Sequence, residues 1–250
     1  MLNDPAGIAV AALIFLAAGT VKGVVGFGLP TVCLALFALS SGLIEAMALL
    51  LWPSFITNLI QGLQGGRLMA LTGRLKWTLV PAFGFIFVGA LGLSRFEPTP
   101  LSLLLGLLII AYALLALSGW KPRLDGQAEG VGGIVAGALN GVFTGLTGSF
   151  VVPGVLYLNA IGLTRDEMVQ AMGILFTVST LGLGVALTGQ GLLSSDLSWV
   201  SLAGVIPALI GMSLGRRLRQ RLPEPLFRRV FLLALLGLGA AIALRAGLTA

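Results

Sequence analysis

Apolar residues run along this chain in ten blocks, separated by short polar or glycine-rich breaks. They fall at about 6–22, 29–41, 44–63, 77–94 and 100–119, then at about 131–146, 150–162, 168–188, 198–215 and 226–245. Between the two sets lies a polar stretch, Trp120-Lys-Pro-Arg-Leu-Asp-Gly-Gln-Ala-Glu129. Crossing a hydrocarbon layer takes roughly 20 apolar residues of helix. The blocks lack the period-two alternation of a transmembrane β-strand. The pattern predicts an all-α integral membrane protein of about eight to ten hydrophobic helices. Blocks 29–41 and 150–162 are too short to cross upright, and 6–22 and 131–146 are also short. The pair opening each half is therefore expected to be broken or re-entrant, as half-helices that meet inside the membrane.

The two sets repeat. Ala18-Gly19 and Gly23-Val24 match Ala136-Gly137 and Gly141-Val142 at an offset of 118, and after a few inserted residues Pro30 matches Pro153. Farther on, Glu45-Ala-Met47 faces Gln170-Ala-Met172 and Ser54 faces Ser179, both at 125. Pro81 and Gly89 match Pro207 and Gly215 at 126, and Pro98-Thr-Pro-Leu101 matches Pro223-Glu-Pro-Leu226 at 125. The expected organisation is a first membrane repeat over 1–119, a linker over 120–129 and a second repeat over 130–250. Charge orients them. The loop 64–76 carries Arg67, Arg74 and Lys76, whereas its counterpart 189–197 carries Asp196. The next pair reverses the bias: Arg95 and Glu97 in the first half, against Arg216, Arg217, Arg219, Arg221, Arg228 and Arg229 in the second. Under the positive-inside rule, equivalent loops lie on opposite sides, so the repeats are expected to be inverted in the cytoplasmic membrane. The linker then falls inside and both termini outside.

Composition sharpens this picture. The 250 residues are 57% hydrophobic and 10% charged, where a soluble domain carries about 25% charged; the surplus apolar surface must face lipid. There is no histidine, which removes His-ligated metals, His general bases and the Ser-His arrangement together. The single cysteine, Cys33, gives no disulfide framework. No cofactor is implied. The net charge of +6 comes mostly from clustered arginines that mark topology, not nucleic-acid binding. Met1-Leu-Asn-Asp-Pro5 lacks the basic n-region of a signal peptide, so the first helix is expected to stay.

Candidate chemistry sits at two matched stretches, Lys22-Gly-Val-Val-Gly-Phe-Gly-Leu-Pro30 and Asn140-Gly-Val-Phe-Thr-Gly-Leu-Thr-Gly-Ser-Phe-Val-Val-Pro153. Glycine and proline interrupt a helix there, and interrupted backbone in a bilayer is tolerated where it is buried in protein or lines a polar cavity. Paired interruptions of this kind point to the binding site of an inverted-repeat transporter. Free amides at helix amino ends favour an anion. The expected binding set is the amides of Gly26, Phe27, Gly28, Gly148 and Ser149, with Asn140, Thr144 and Thr147 as side-chain donors. Gly23, Gly141 and Gly145 lie within the same stretches, and Pro30 and Pro153 end them. Lys22 reads first as a topology signal at a cytoplasmic helix end, and second as a charge that raises the potential at the break. Glu45 reads as a dipole cap ahead of a proton-coupling acid. Arg165-Asp166-Glu167 reads as a solvated helix start. Ser54, Asn58 and Gln61, with Thr177, Ser179 and Thr180 in the matching segment, either line the pathway or hydrogen-bond neighbouring helices.

At these breaks the chain resembles the TauE/SafE family of sulfite and organosulfur-anion exporters. Gly-Phe-Gly-Leu-Pro30, Gly-Ser-Phe-Val-Val-Pro153 and Gln170-Ala-Met-Gly173 carry the resemblance, in a tandem arrangement across nearly the whole chain. Phe27 and Leu29 depart from the glycine-richer run often seen in the family. The resemblance implies transport, chiefly export, of small sulfur-containing anions such as sulfite, thiosulfate or sulfonates, with protons as a candidate coupling ion. Two other readings compete: a passive anion channel using the same broken helices, and an intramembrane enzyme pairing Ser149 with Lys22. No enzyme activity is expected.

Overall fold

The computed structural model describes residues 5–120, 122–220 and 224–249. Twelve helices follow one another, with no strand among the described residues. They are α1 (Pro5–Val25), α2 (Leu29–Ser40), α3 (Leu43–Leu49), α4 (Leu51–Leu63), α5 (Leu68–Ala90) and α6 (Pro98–Ser118), then α7 (Gly126–Thr147), α8 (Gly154–Ala160), α9 (Arg165–Gly189), α10 (Ser195–Ala203), α11 (Val205–Arg219) and α12 (Glu224–Thr249). Among the described residues, six helical stretches are long and apolar enough to cross a membrane, or seven with α3 and α4 taken as one bent span. The ten apolar blocks all reappear.

The opening pairs differ from expectation in one respect. α1 and α7 have 21 and 22 residues, full crossing length, and shortness is confined to α2 with 12 and α8 with 7. α1 runs on past Lys22, and α7 begins at Gly126 inside the polar linker. A backbone that satisfies its own hydrogen bonds continues beyond the apolar stretch that announces it.

The block read as 44–63 bends by 44° between α3 and α4. Pro53 has no N–H for the carbonyl of Leu49, and its ring crowds that carbonyl. The Ser201 hydroxyl of α10 donates to Leu49 O at 2.8 Å and accepts from Trp52 N at 3.1 Å. One buried side chain thus satisfies both backbone groups left by the kink.

The chain forms two compact units, each drawing helices from both sides of the linker. In the first, comprising α1–α3, α6 and α10–α12, α1 packs along α11 and α6 along α12. In the second, comprising α4 from Ser54 onward with α5 and α7–α9, α5 packs along α7 and α9. The main seams are glycine-lined and repeat contact for contact. A Cβ on Gly19 would collide with the carbonyl of Ala208, and one on Gly141 with that of Ala82. Gly23 meets Met212 as Gly145 meets Ile86, and Gly215 meets Thr20 as Gly89 meets Val142. These three correspondences share one register, 122 residues between α1 and α7 and 126 between α5 and α11. The offset of 118 read from the glycines is one helical turn away.

Candidate functional site

In the first unit α1 ends at Val25, and Gly26 closes it, donating its N–H to Lys22 O at 2.8 Å. Gly26 and Gly28 both have positive φ, 90° and 105°, a conformation that costs a residue with a Cβ dearly. Pro30 follows in the first turn of α2, where its missing N–H is harmless. Gly28 is pinned by α12, since a Cβ there would lie 2.9 Å from the Phe231 ring. Phe27 meets Tyr112 of α6 and Phe231 edge-on, at centroid distances of 6.2 and 5.9 Å. Lys22, one turn before the break, is 2% exposed. That is not the solvated position of a topology lysine. Gly23 beside it abuts α11, where a Cβ would lie 2.9 Å from Arg216 N.

The second break has the same register: Gly148, 122 residues after Gly26, has φ of 72° and donates to Thr144 O at 2.8 Å. Thr144 stands where Lys22 stands. The loop beyond is braced from within. Thr144 Oγ1 donates to Ser149 O at 3.0 Å, Thr147 Oγ1 donates to Phe143 O at 2.7 Å, and Ser149 N donates to Thr147 Oγ1 at 3.3 Å. Asn140 Oδ1 accepts from Gly154 N at 3.2 Å. Gly26, Gly148 and Ser149 amides are thus engaged within the chain, and Gly141 and Gly145 serve the seam with α5. Pro153 is the residue just before α8.

After this break the chain doubles back. Tyr157 Oη donates to Glu129 O at 3.1 Å and Leu124 N donates to Ala160 O at 2.8 Å, so α8 ends beside the start of α7. α7 and α8 form a hairpin whose two ends lie together. Arg74 of α5 secures that end with a two-pronged pair to Glu129, 2.7 and 2.9 Å, and a bond to Ile161 O at 2.7 Å. Arg67 pairs with Glu167 at 2.5 Å, and Glu167 completes a capping box with Thr164 at the start of α9. That agrees with the reading of 165–167 as a helix start. Exposed Glu45 in the first turn of α3 agrees with the dipole reading.

The polar faces of α4 and α9 divide into two kinds. Gln61 Nε2 donates to Val169 O at 2.6 Å and Gln170 Nε2 to Gly62 O at 2.9 Å, a reciprocal clasp where Gly62 crosses Gly173. Thr177 and Thr180 bond back to their own helix. Ser54, Asn58 and Ser179 are fully buried. Among the described residues, no cluster of three or more His, Cys, Asp and Glu side chains is placed to hold a metal ion.

These features define a polytopic helical membrane protein with glycine-centred helix breaks of the kind transporters use. The family described as sulfite exporter TauE/SafE matches residues 11–242, nearly the whole chain, and the protein belongs to that family. No curated protein and no solved structure matches it.

Proposed function

We propose that this chain is a secondary transporter that exports small sulfur-containing anions, such as sulfite, thiosulfate or a sulfonate, across the cytoplasmic membrane by alternating access. The observation that carries the anion is Lys22. It is buried one turn before a left-handed glycine break that leads into the amino end of α2, and the backbone of Arg216 packs beside the neighbouring Gly23. A cation, the amides of Phe27 and Gly28 and the positive end of a helix all favour negative charge. Family membership supports transport and the sulfur-anion class. The charge bias of the loops supports inverted repeats with linker 120–129 in the cytoplasm and both termini outside. Protons are the proposed coupling ion.

The test is flux of sulfite, thiosulfate and a small sulfonate into proteoliposomes, with and without an imposed pH gradient. Saturable flux stimulated by the gradient is expected. Flux that neither saturates nor responds to the gradient favours a passive facilitator, and no flux of any of the three refutes the substrate class.

A further inference from the structure

The second break has donors but no charge: between Glu129 and Arg165 the chain carries no charged residue. Asn140 is fully buried on α7, and its Nδ2 has no hydrogen-bond partner. The amide cannot be turned over to mend this, because Gly154 N–H donates to Oδ1 and fixes which end faces which way. Nδ2 therefore offers its hydrogens to something other than the adjoining backbone. Thr144 has committed its hydroxyl proton to Ser149 O in the loop and Thr147 its own to Phe143 O in α7, so Asn140 is the donor of this group left over. A second orphan stands on α9. A Cβ on Gly154 would be 2.6 Å from Asn140 Oδ1 and 2.8 Å from Leu175 Cδ2, so Asn140 and Leu175 flank the same glycine. Ser179 is one turn beyond Leu175 on the same face of α9. It is likewise fully buried, with Oγ unpartnered.

Leaving a buried donor without an acceptor is unfavourable, and an amide nitrogen can be satisfied by an acceptor alone. Bond for bond, the acceptor held most strongly by such donors is one that carries negative charge, because charge-assisted hydrogen bonds are the strong ones. We propose that Asn140 Nδ2 and Ser179 Oγ form a charge-neutral donor subsite for an oxygen of the transported sulfur oxyanion, and that this pair sets specificity among anions. The proposal rests on the anion-transport reading and adds to it a residue pair that selects by hydrogen bonding, apart from the charge of Lys22. Packing around Gly154 is close, so the loop 148–153 has to shift for the anion to enter.

The experiment measures KM for sulfite and thiosulfate, and inhibition by chloride, in proteoliposomes bearing wild type, Asn140→Asp, Ser179→Ala or Ser179→Thr. Asn140→Asp keeps the acceptor for Gly154 and replaces the donor with a group that repels anions. It is expected to raise KM at least about tenfold, and Ser179→Ala about three- to tenfold. Ser179→Thr, which keeps the hydroxyl, restores the wild-type KM, and selectivity over chloride falls in the two defective variants. Should Asn140→Asp fail to fold, the Ser179 pair alone decides the matter. Unchanged KM and selectivity in a wild type that transports overturns this subsite and leaves the transport reading intact. A wild type that neither transports these anions nor is thermally stabilised by them overturns both.

Discussion

Ser201 satisfies both backbone groups that the kink at Pro53 disturbs, accepting from Trp52 N and donating to Leu49 O. Ser201→Ala removes both bonds and leaves the buried Leu49 carbonyl without this donor, and the expected cost is roughly 2 kcal/mol, seen as a lowered melting temperature in detergent. Ser201→Thr, which keeps the hydroxyl, is expected to be milder. Lys22 belongs to a different class. On the proposed reading its charge serves binding, so Lys22→Ala is expected to raise KM for sulfite about tenfold or more while melting stays close to wild type. Unchanged KM removes Lys22 from the site. At this scale the sequence was a partial guide. It named the residues of both breaks, because glycine and proline in an apolar run leave little choice of conformation. It did not show that Thr144 donates to Ser149 O and Ser149 N to Thr147 Oγ1, since partners across a loop leave no periodic mark. Nor did it show that Lys22 is buried, since the side-chain surroundings of a lysine at a helix end depend on the helix packed against it.

At the scale of elements, the glycine seams were legible as small-residue spacing, but their register was not. Gly137, Gly141 and Gly145 are four apart, so Gly19 and Gly23 align equally well with either adjacent pair, and carbonyl contacts across the seam decide between them. Each contact predicts its own cost. Gly19→Ala and Gly141→Ala press a methyl into a backbone carbonyl and are expected to destabilise by similar amounts, about 1–3 kcal/mol or more. Gly130→Ala and Gly237→Ala meet nothing within 4 Å in α7 and α12 and are expected to be neutral or to stabilise by up to about 1 kcal/mol. Thermal melting of the four variants tests the set. The α7–α8 hairpin depends on Arg74, whose pair with Glu129 is partly solvated. Arg74→Ala and Glu129→Ala, measured singly and together, are expected to show a coupling of about 1 kcal/mol or less, and less again at high salt.

For the whole molecule, hydropathy and charge sufficed for the membrane class, since an apolar excess of this size has no other solvent to face. Trp52, Trp77, Trp120 and Trp199 are 40–69% exposed, and such rings settle at the membrane interface. The interleaving of the halves was not legible: apolar helices look alike in sequence, and which of them pack together is recorded in small residues whose register is ambiguous by a turn. Cysteine labelling from either side of the membrane is expected to place positions in 64–76, the turn and first residues of α5, and in 216–220 on one face, and positions in 189–194 on the other. Labelling of 64–76 and 216–220 from opposite faces overturns the inverted arrangement.

The seams also constrain motion. Where backbones touch through glycine, two helices cannot roll or separate without opening a gap that no side chain can fill. α1 with α11, and α5 with α7, are therefore struts, each pair turning as one piece. Whatever the protein does to let its substrate through, bending is expected in segments that carry no such backbone seam, among them Gly26 to Gly28, held by a side chain alone, and the loop from Gly148 to Pro153. Spin labels spanning either strut should keep one distance throughout the transport cycle, while labels flanking either hinge should report two.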